Sequence, residues 1–261
     1  MKLVVKIGGA ALENESVLQK CAFAVAELAK DGHQIAVVHG GGTMLTQTLT
    51  RLGKQSEFVQ GLRVTDAETR DVAVMVLAGM VNKMLVKAIL ATGRPAMGLC
   101  GGDGGSFLAR KKKTVGQDLG FVGEICSVEA RWLEAIWSQD GIPVISSVAI
   151  GSDGEYYNVN ADQMASACAA ACHADALIFL TDVPGVRAAD GAILRWLHLH
   201  EVPAMVQSSV ISGGMLPKLE ACAEALRRGV GRVRIMPADH ADELSNFYVS
   251  RMDCGTEVRV A

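Results

Sequence analysis

The stretch of sequence that decides the fold is Ile35-Ala36-Val37-Val38-His39-Gly40-Gly41-Gly42, where an apolar, largely β-branched run passes directly into three glycines. Lys6-Ile7-Gly8-Gly9 follows the run Leu3 to Val5 in the same way, and both glycine stretches precede helix-like sequence. They are therefore predicted to be turns between a strand and a helix. Glycine lets a ligand approach the backbone closely, and the start of a helix offers free N–H groups and the positive end of its dipole. Two such turns favour a phosphate site.

A third glycine pair leads to a lysine, in Gly213-Gly214-Met215-Leu216-Pro217-Lys218. Pro217 suits the first turn of a helix, and the helical pattern continues until Gly229. Lys218 then lies at the positive end of a helix dipole, which costs on the order of 0.3 kcal/mol or more unless an anion binds there. By itself this pattern is typical of a solvent-exposed lysine. Beside two glycine turns it favours a polyphosphate site.

Strand and helix patterns alternate along the whole chain, which predicts an α/β fold with a mostly parallel sheet and helices on both faces. Segment 105–128 differs, because apolar pairs alternate with charges and glycines there, and it is predicted to form an antiparallel hairpin. In such folds ligands bind beyond the carboxyl ends of the strands, where both glycine turns are expected. The strands of the sheet are expected at 2–8, 34–39, 95–99, 143–148, 176–181 and 232–236.

Composition and charge narrow the class of function. The 261 residues carry a net charge of −3, which gives no electrostatic argument for binding nucleic acid or a membrane. The basic run Arg110-Lys111-Lys112-Lys113 is short and is expected in an exposed hairpin. No continuous apolar stretch approaches the ~20 residues that span a bilayer.

The seven cysteines include no CxxC pair, which argues against a disulfide framework or a zinc site. Cys168 and Cys172 are expected to be buried on one helix. This usage of cysteine is typical of the cytoplasm, which is a reducing compartment.

Several familiar motifs are absent. There is no GxxxxGK[ST], which excludes a P-loop enzyme, and no GxGxxG after a strand, which weakens a dinucleotide site. His39-Gly40-Gly41-Gly42 is similar to the oxyanion loop of an esterase, but no GxSxG nucleophile accompanies it. The hydrolase interpretation therefore fails.

Asn158-Val159-Asn160-Ala161-Asp162 precedes a helix predicted at 161–173. Asn160 is a plausible N-cap, and Asp162 in the first turn suits the helix dipole. Asp162 could also hold Lys6, Lys218 or both through charge-assisted hydrogen bonds.

Arg63 lies in Gly61-Leu62-Arg63-Val64-Thr65-Asp66, after a turn and before a helix. Its planar guanidinium suits a substrate carboxylate. A surface arginine paired to Asp66 or Glu68 is an equally good interpretation, and the residues alone leave both open.

With these residues in view, the chain resembles the amino acid kinase family over essentially its whole length, and within it the branch that phosphorylates N-acetyl-L-glutamate. Gly61 to Asp66 is similar to the acetylglutamate-binding segment. Thr43 departs from the pattern, since many relatives have proline there, which concerns the rigidity of the loop. The resemblance rests on Lys6 to Gly9, Val38 to Gly42, Asn82-Lys83, Phe121 to Glu124, Asn158 to Asp162, Thr181 to Val186 and Gly213 to Lys218.

The resemblance implies a three-layer αβα sandwich with a mostly parallel open central sheet. Residues 1–175 would form an N-terminal lobe for the acyl-amino acid and for dimerisation, and residues 176–261 a C-terminal lobe for ATP. The implied reaction is ATP-dependent phosphorylation of the γ-carboxylate of N-acetyl-L-glutamate to N-acetyl-L-glutamyl 5-phosphate, in arginine biosynthesis. Mg²⁺ would be bound with ATP, and no metal-ligating residues are expected on the protein.

The resemblance also implies roles for single residues. Lys6 and Lys218 resemble the catalytic lysines that stabilise the transferring phosphoryl group, and Asp162 resembles the aspartate that organises them. The substrate-binding positions are Gly41, Gly42, Arg63 and Asn158, with Arg63 on the α-carboxylate. The nucleotide-binding positions are Gly8, Gly9, Asp182, Val183, Pro184, Gly185, Val186, Arg187, Val210, Ile211 and Ser212, with backbone N–H groups from Gly8 and Gly9.

Alternatives remain open for function, and assembly is a further expectation. A sister kinase acting on an aminoadipate derivative or aspartate, or a non-catalytic metabolite sensor on the same fold, would share many of these features.

Segment 66–92 is apolar on more than one face, which predicts a covered helix and with it a homodimer. Arginine-inhibited family members carry an extra helix before the first strand, which Met1 and Lys2 cannot form, so strong arginine inhibition is not expected.

Overall fold

The computed structural model describes residues 1–114, 116–249 and 254–260. The strands are β1 (Lys2–Ile7), β2 (Gln34–His39), β3 (Phe58–Val59), β4 (Leu62–Arg63), β5 (Ala96–Leu99), β6 (Phe107–Lys111), β7 (Val122–Val128), β8 (Ile142–Ser146), β9 (Val148–Gly151), β10 (Tyr156–Val159), β11 (Ala176–Thr181), β12 (Trp196–His198), β13 (Arg232–Pro237) and β14 (Thr256–Arg259). The α-helices are α1 (Gly9–Glu13), α2 (Glu15–Lys30), α3 (Gly42–Arg51), α4 (Ala67–Ala73), α5 (Asn82–Leu90), α6 (Arg131–Trp137), α7 (Ala161–Ala171), α8 (Val202–Gln207) and α9 (Met215–Arg227). Val74–Val81 joins α4 to α5 in π-helical turns, and 3₁₀ segments occur at Asp103–Gly105, Leu199–Glu201 and Ala238–Val249.

Eight strands form the central sheet, in the order β12-β14-β13-β11-β1-β2-β8-β5. Every neighbouring pair is parallel except β13 with β14. The mostly parallel sheet is confirmed, and all six strands expected from the sequence occur in it with small shifts at their ends. The short strands β12, at one edge of the sheet, and β14, beside it, were not expected from the sequence.

Helices cover both faces of this sheet, as the alternation of side chains in β1 shows. Leu3 and Val5 are buried in a cluster with α2 and α5, whereas Val4 is buried in a second cluster with α7 and α9. Successive residues of a strand point to opposite faces, so one strand contributes to two cores. The three-layer αβα sandwich is therefore confirmed.

The antiparallel hairpin expected in segment 105–128 is formed by β6 and β7. Strands β9 and β10 close it into a small barrel in the order β10-β7-β6-β9, which the sequence did not indicate. Arg110 and Lys111 are exposed and pair with acidic neighbours on this hairpin. Val115, one of the residues that suggested the hairpin, lies outside the described residues. The lobe boundary at 175/176 stays a prediction.

One continuous helix runs from Ala67 to Leu90 through α4, the π-helical turns and α5. By length and composition alone it could cross a membrane. It is longer than any uninterrupted apolar stretch of the sequence because Asn82, Lys83 and Lys87 lie within it. Half of its most apolar part is buried inside the protein, where Val72, Leu77 and Leu85 join the same core as α2. Such burial is typical of a core helix.

Candidate active site

Three charged side chains from separate elements meet at the carboxyl ends of the central strands. Lys6 lies near the end of β1, and Asp162 and Lys218 lie in the first turns of α7 and α9. Lys6 Nζ is 2.8 Å from Asp162 Oδ1, and Lys218 Nζ donates to Asp162 Oδ2 at 3.0 Å. All three residues are buried. One carboxylate thus holds both lysines, and we call this group the Lys–Asp–Lys cluster.

The local sequence explains how the two helices present these side chains. Asn160 Oδ1 accepts hydrogen bonds from the N–H groups of Asp162 at 2.9 Å and Gln163 at 3.2 Å. Asn160 is therefore the N-cap of α7, as the sequence predicts. Pro217 is the third residue of α9, where its missing N–H costs no helical hydrogen bond. Lys218 Nζ also lies 5.3 Å from the centre of the Phe179 ring.

The Lys–Asp–Lys cluster carries one more positive than negative charge. Burial lowers the pKa of Lys6, Asp162 opposes this shift, and Lys218 adds to it. Burial alone would raise the pKa of Asp162, but Lys6 and Lys218 lower it to about 2. Asp162 is therefore ionised at neutral pH, and the unbalanced positive charge favours an anion close to both lysines.

The glycine turns differ in how they use their backbone. The N–H of Gly8 donates to the Leu180 carbonyl at 2.8 Å, so this amide already has an acceptor, and its donation to a phosphate or to the attacking carboxylate stays a prediction. Gly41 has a φ of 144°, and a Cβ there would lie 2.9 Å from a methyl group of Leu77, so only glycine fits. The N–H groups of Gly41 and Gly42, at the start of α3, have no acceptor within the described parts of the chain.

Arg63, at the end of β4, is buried without an acidic partner among the described residues. Its Nη1 donates to Ser56 Oγ, and its Nη2 donates to the Gly42 carbonyl at 3.0 Å and to Thr46 Oγ1 at 2.7 Å. The guanidinium carbon lies 4.6 Å from the centre of the Phe58 ring. Within the part of the chain that the structure describes, the contacts of this cation are therefore all with neutral groups.

Lys54, rather than Arg63, pairs with Asp66 and Glu68, at 2.7 Å from each carboxylate. The interpretation of Arg63 as the surface partner of these two acids is therefore wrong. Burial lowers the pKa of Arg63, but a guanidinium starts from so high a value that it stays charged. A buried cation with neutral partners is costly until an anion joins it, so the surroundings of Arg63 suit a carboxylate.

A cavity of about 160 Å³, which we call the Arg63 cavity, joins Arg63 to the glycine turn at residues 40–42. The four residues predicted to bind the substrate all line it: Gly41, Gly42, Arg63 and Asn158. Asn158 Nδ2 donates to Thr65 Oγ1 at 3.3 Å. A Cβ on Gly40 would lie 3.5 Å from that of Ala161, the residue before Asp162, so the same glycine turn adjoins the Lys–Asp–Lys cluster.

The first segment predicted to bind nucleotide, residues 182–187, follows β11. The N–H of Val186 donates to Thr256 Oγ1 at 2.8 Å, which ties the loop to β14. Gly185 has a φ of 146°, and a Cβ there would lie 2.7 Å from the same hydroxyl oxygen. Glycine and threonine together thus set the path of this loop.

The second segment, residues 210–212, lies between α8 and α9. Ile211 is buried in the same hydrophobic core as Val186 of the first segment. Asp182 acts electrostatically on Lys6 and tends to raise its pKa. The first segment therefore lies close enough to Lys6 to act on it electrostatically, and the binding of a nucleotide by either segment stays a prediction.

Several residues that support the site escaped sequence reasoning. Thr46 and Ser56 hold Arg63, Thr65 holds Asn158, and Thr256 holds the loop 182–187. Each contributes a single hydroxyl, and no spacing in the sequence connects it to its partner. Cys168, on α7, and Cys172, directly after this helix, are buried free cysteines, as expected.

The αβα sandwich with buried cations at its carboxyl edge defines a class of α/β protein that binds anions between glycine turns and helix starts. The model of the amino acid kinase family matches residues 1–237, and the chain belongs to this family. It is similar to the acetylglutamate kinase of Acidobacterium capsulatum, with 66% identity over 99% of both chains. The acetylglutamate kinase of Koribacter versatilis is 55% identical over 99% of this chain and 98% of that protein.

Solved structures share the fold. The structure of smu.665 from Streptococcus mutans has a TM-score of 0.84 and 27% identity, covering 100% of this chain and 99% of that chain. N-acetylglutamate synthase from Neisseria gonorrhoeae, complexed with coenzyme A and L-arginine, has a TM-score of 0.88 and 22% identity. This chain covers 61% of that synthase, and at this identity the likeness shows the fold alone.

Proposed function

We propose that this chain phosphorylates the γ-carboxylate of N-acetyl-L-glutamate with ATP, giving N-acetyl-L-glutamyl 5-phosphate for arginine biosynthesis. The observation that carries the proposal is that one glycine turn, residues 40–42, adjoins two cationic sites. Arg63 lies on one side with no acidic partner among the described residues, and the Lys–Asp–Lys cluster lies on the other. The relatives with 66% and 55% identity are named acetylglutamate kinases.

The acceptor explains why the site needs no general base. A γ-carboxylate has an unperturbed pKa of ~4.3, so it is already ionised and nucleophilic at neutral pH. The protein must align the carboxylate with the γ-phosphorus of ATP and neutralise charge on a loose, in-line transition state. Lys6 and Lys218 supply that charge from fixed positions, because Asp162 holds both ammonium groups.

Each substrate has its own set of residues. Arg63 and Asn158 bind acetylglutamate, with the guanidinium on its α-carboxylate, and the N–H groups of Gly41 and Gly42 face its reactive end. The loops at 182–187 and 210–212 bind adenine and ribose. Gly9 offers its N–H to the phosphates, and Gly8 contributes by having no side chain beside Lys6.

Mg²⁺ enters with ATP in this proposal. Among the described residues, no group of three or more His, Cys, Asp or Glu side chains could hold a metal ion. Mg²⁺ keeps several waters and is commonly bound through substrate phosphates with one or two carboxylates. Mg²⁺ would neutralise phosphate charge, while alignment of the reacting groups falls to the lysines and glycine turns.

The test is a substrate panel with ATP and Mg²⁺, in which hydroxylamine traps any acyl phosphate as a hydroxamate. We expect product with N-acetyl-L-glutamate and little with glutamate, aspartate or an aminoadipate derivative. Product with another acceptor would identify a sister kinase. A folded protein that binds ATP and forms no hydroxamate with any acceptor would be a sensor.

We further propose a two-fold homodimer. The continuous helix leaves Met75 and Met80 65% and 48% exposed, and Met97 is 54% exposed on the edge strand β5. An apolar cavity of about 470 Å³ beside β5 is lined in part by Trp132 and Ile136. An open sheet edge with apolar surroundings suits pairing with a second copy across a two-fold axis. Light scattering should give twice the chain mass of 27.5 kDa, and a mass of 27.5 kDa would contradict the dimer.

We place the enzyme in the cytoplasm, because all seven cysteines are free thiols.

A further inference from the structure

A buried chain of hydrogen bonds lies behind the glycine turn. His39, at the end of β2, and Asn82, at the start of α5, have no solvent exposure. His39 Nδ1 lies 2.8 Å from the carbonyl oxygen of Gly40, and His39 Nε2 lies 3.1 Å from Asn82 Nδ2. Asn82 Nδ2 also donates to the Val144 carbonyl at 2.9 Å, and Asn82 Oδ1 accepts from Lys83 Nζ at 3.1 Å.

These partners determine the protonation of the ring. A carbonyl oxygen can only accept, so His39 Nδ1 carries a proton and donates it to Gly40. An amide nitrogen can only donate, so His39 Nε2 is unprotonated and accepts from Asn82. Burial lowers the pKa of His39 to about 4, the hydrogen bond to Gly40 opposes this, and Lys6 and Lys83 add to it. His39 is therefore neutral at pH 7, in one tautomer.

The bond to Gly40 sets the orientation of the next amide. The carbonyl of Gly40 and the N–H of Gly41 belong to one planar peptide group and point in opposite directions. With the carbonyl held towards His39, the N–H of Gly41 points away from it, and Gly41 lines the Arg63 cavity. Glycine restrains its own peptide groups poorly, so an outside contact is needed to hold one orientation.

We propose that His39 and Asn82 are positioning residues for the reaction, which hold the Gly40–Gly41 peptide so that the N–H of Gly41 faces the acceptor carboxylate. The inference rests on the proposed function, because it assigns that N–H to the substrate of the kinase reaction. Neither side chain touches the substrate. Asn82 acts through His39 by keeping the ring in the tautomer that donates to Gly40.

The first experiment measures kcat and both KM values for His39→Leu, Asn82→Leu and the double variant. We expect His39→Leu to lower kcat about 10-fold with little change in the KM for ATP, since one oriented donor is lost. The double variant should be no slower than His39→Leu, because Asn82 acts only through His39. His39→Asn, whose side-chain N–H can take the place of Nδ1–H, should restore most of the loss.

Two further variants separate positioning from packing. Leu85 lies one turn after Asn82 on α5 and is buried in the hydrophobic core. Leu85→Ala should therefore lower the stability of the protein, while kcat below the melting temperature stays unchanged. Gly98→Ala, on β5, should lower kcat as Asn82→Leu does, because a Cβ there would collide with Asn82 Oδ1. Loss of kcat in Leu85→Ala equal to that in His39→Leu would assign the effect to packing.

The ¹⁵N NMR spectrum of histidine-labelled wild type provides a readout that needs no turnover. We expect His39 to be neutral at pH 7, with Nδ1 protonated and Nε2 bare. The opposite tautomer, unchanged kcat in His39→Leu or additive effects in the double variant would overturn the inference. Wild type that forms no acyl phosphate would instead reject the proposed function, and the NMR result would still decide whether the hydrogen-bond chain exists.

Discussion

The Lys–Asp–Lys cluster and the Arg63 cavity bury positive charge in opposite ways. In the cluster, Asp162 lies between Lys6 and Lys218 and holds both at hydrogen-bonding distance. In the cavity, neutral oxygen atoms surround Arg63, and no acid among the described residues reaches it. The cluster is therefore organised before any ligand arrives, which suits a transition state. The guanidinium lacks a counter-ion, which suits binding of an anionic substrate.

The largest effect is expected from Lys6→Ala and Lys218→Ala. Each removes a charge that acts mainly while the phosphoryl group transfers, so kcat should fall on the order of 100-fold or more, or ~2.7 kcal/mol. Hydroxamate formation at saturating substrates measures this. Lys30→Ala, which removes an exposed lysine paired with Glu27, is the matched control and should keep full activity. An intact kcat with raised KM values would reverse the roles given to the two regions.

The turn that both regions share should be intolerant of a side chain at position 41. Gly41→Ala forces alanine into a φ of 144° and against Leu77, which should lower the free energy of unfolding by about 2 kcal/mol. Gly42→Ala places its Cβ in open space and should change stability little. Urea unfolding of both variants tests this. Equal stability of the two would mean that the turn relaxes to another conformation.

The dependence of stability on pH should distinguish the titratable groups near that turn, His39 and Asp162. The pKa of His39 is about 4 in the folded protein against 6.5 in a model peptide, so the unfolded state binds more protons between these values. The free energy of unfolding should therefore decrease as the pH is lowered, by about 2 kcal/mol from pH 7 to pH 5. His39→Asn should remove this part of the pH dependence, and urea unfolding at both pH values measures it.

Asp162 of the Lys–Asp–Lys cluster should respond in stronger acid than His39 does. The pKa of Asp162 is lowered to about 2 from 3.8, so its contribution to stability is present above pH 3.8 and is lost as pH falls towards 2. Asp162→Asn should therefore leave the change in stability between pH 7 and pH 5 intact. Loss of that change in Asp162→Asn would mean that the cluster, rather than His39, titrates in this range.

The smallest effect is expected from Arg63→Ala. Loss of a charge-assisted hydrogen bond to the α-carboxylate should raise the KM for acetylglutamate about 10-fold, or ~1.4 kcal/mol, with a smaller change in kcat. Arg110→Ala removes an exposed arginine paired with Glu124 and should leave that KM unchanged. A rise in the KM for ATP alone would place Arg63 on the nucleotide side.

The sequence supported the Lys–Asp–Lys cluster better than the Arg63 cavity, and the reason is local. Lys6 lies near a recognisable strand end, and Asp162 and Lys218 lie just after recognisable helix starts. One rule about the carboxyl edge of a parallel sheet therefore brings them together. Arg63 lies in a two-residue strand, and its environment depends on Thr46 and Ser56, which have no pattern of their own. Two interpretations of Arg63 were therefore equal until its contacts were known.

By itself, the sequence determined the alternating α/β order, the central strands, the glycine turns and the helix caps, because periodicity and backbone preference act over a few residues. Tertiary structure alone decided that Lys54 takes the acids that Arg63 could have taken, and that β9 and β10 close a barrel. It also decided that Asn82 meets His39, 43 residues away in the chain. Such contacts depend on how elements pack in three dimensions, and no local preference of the chain encodes them.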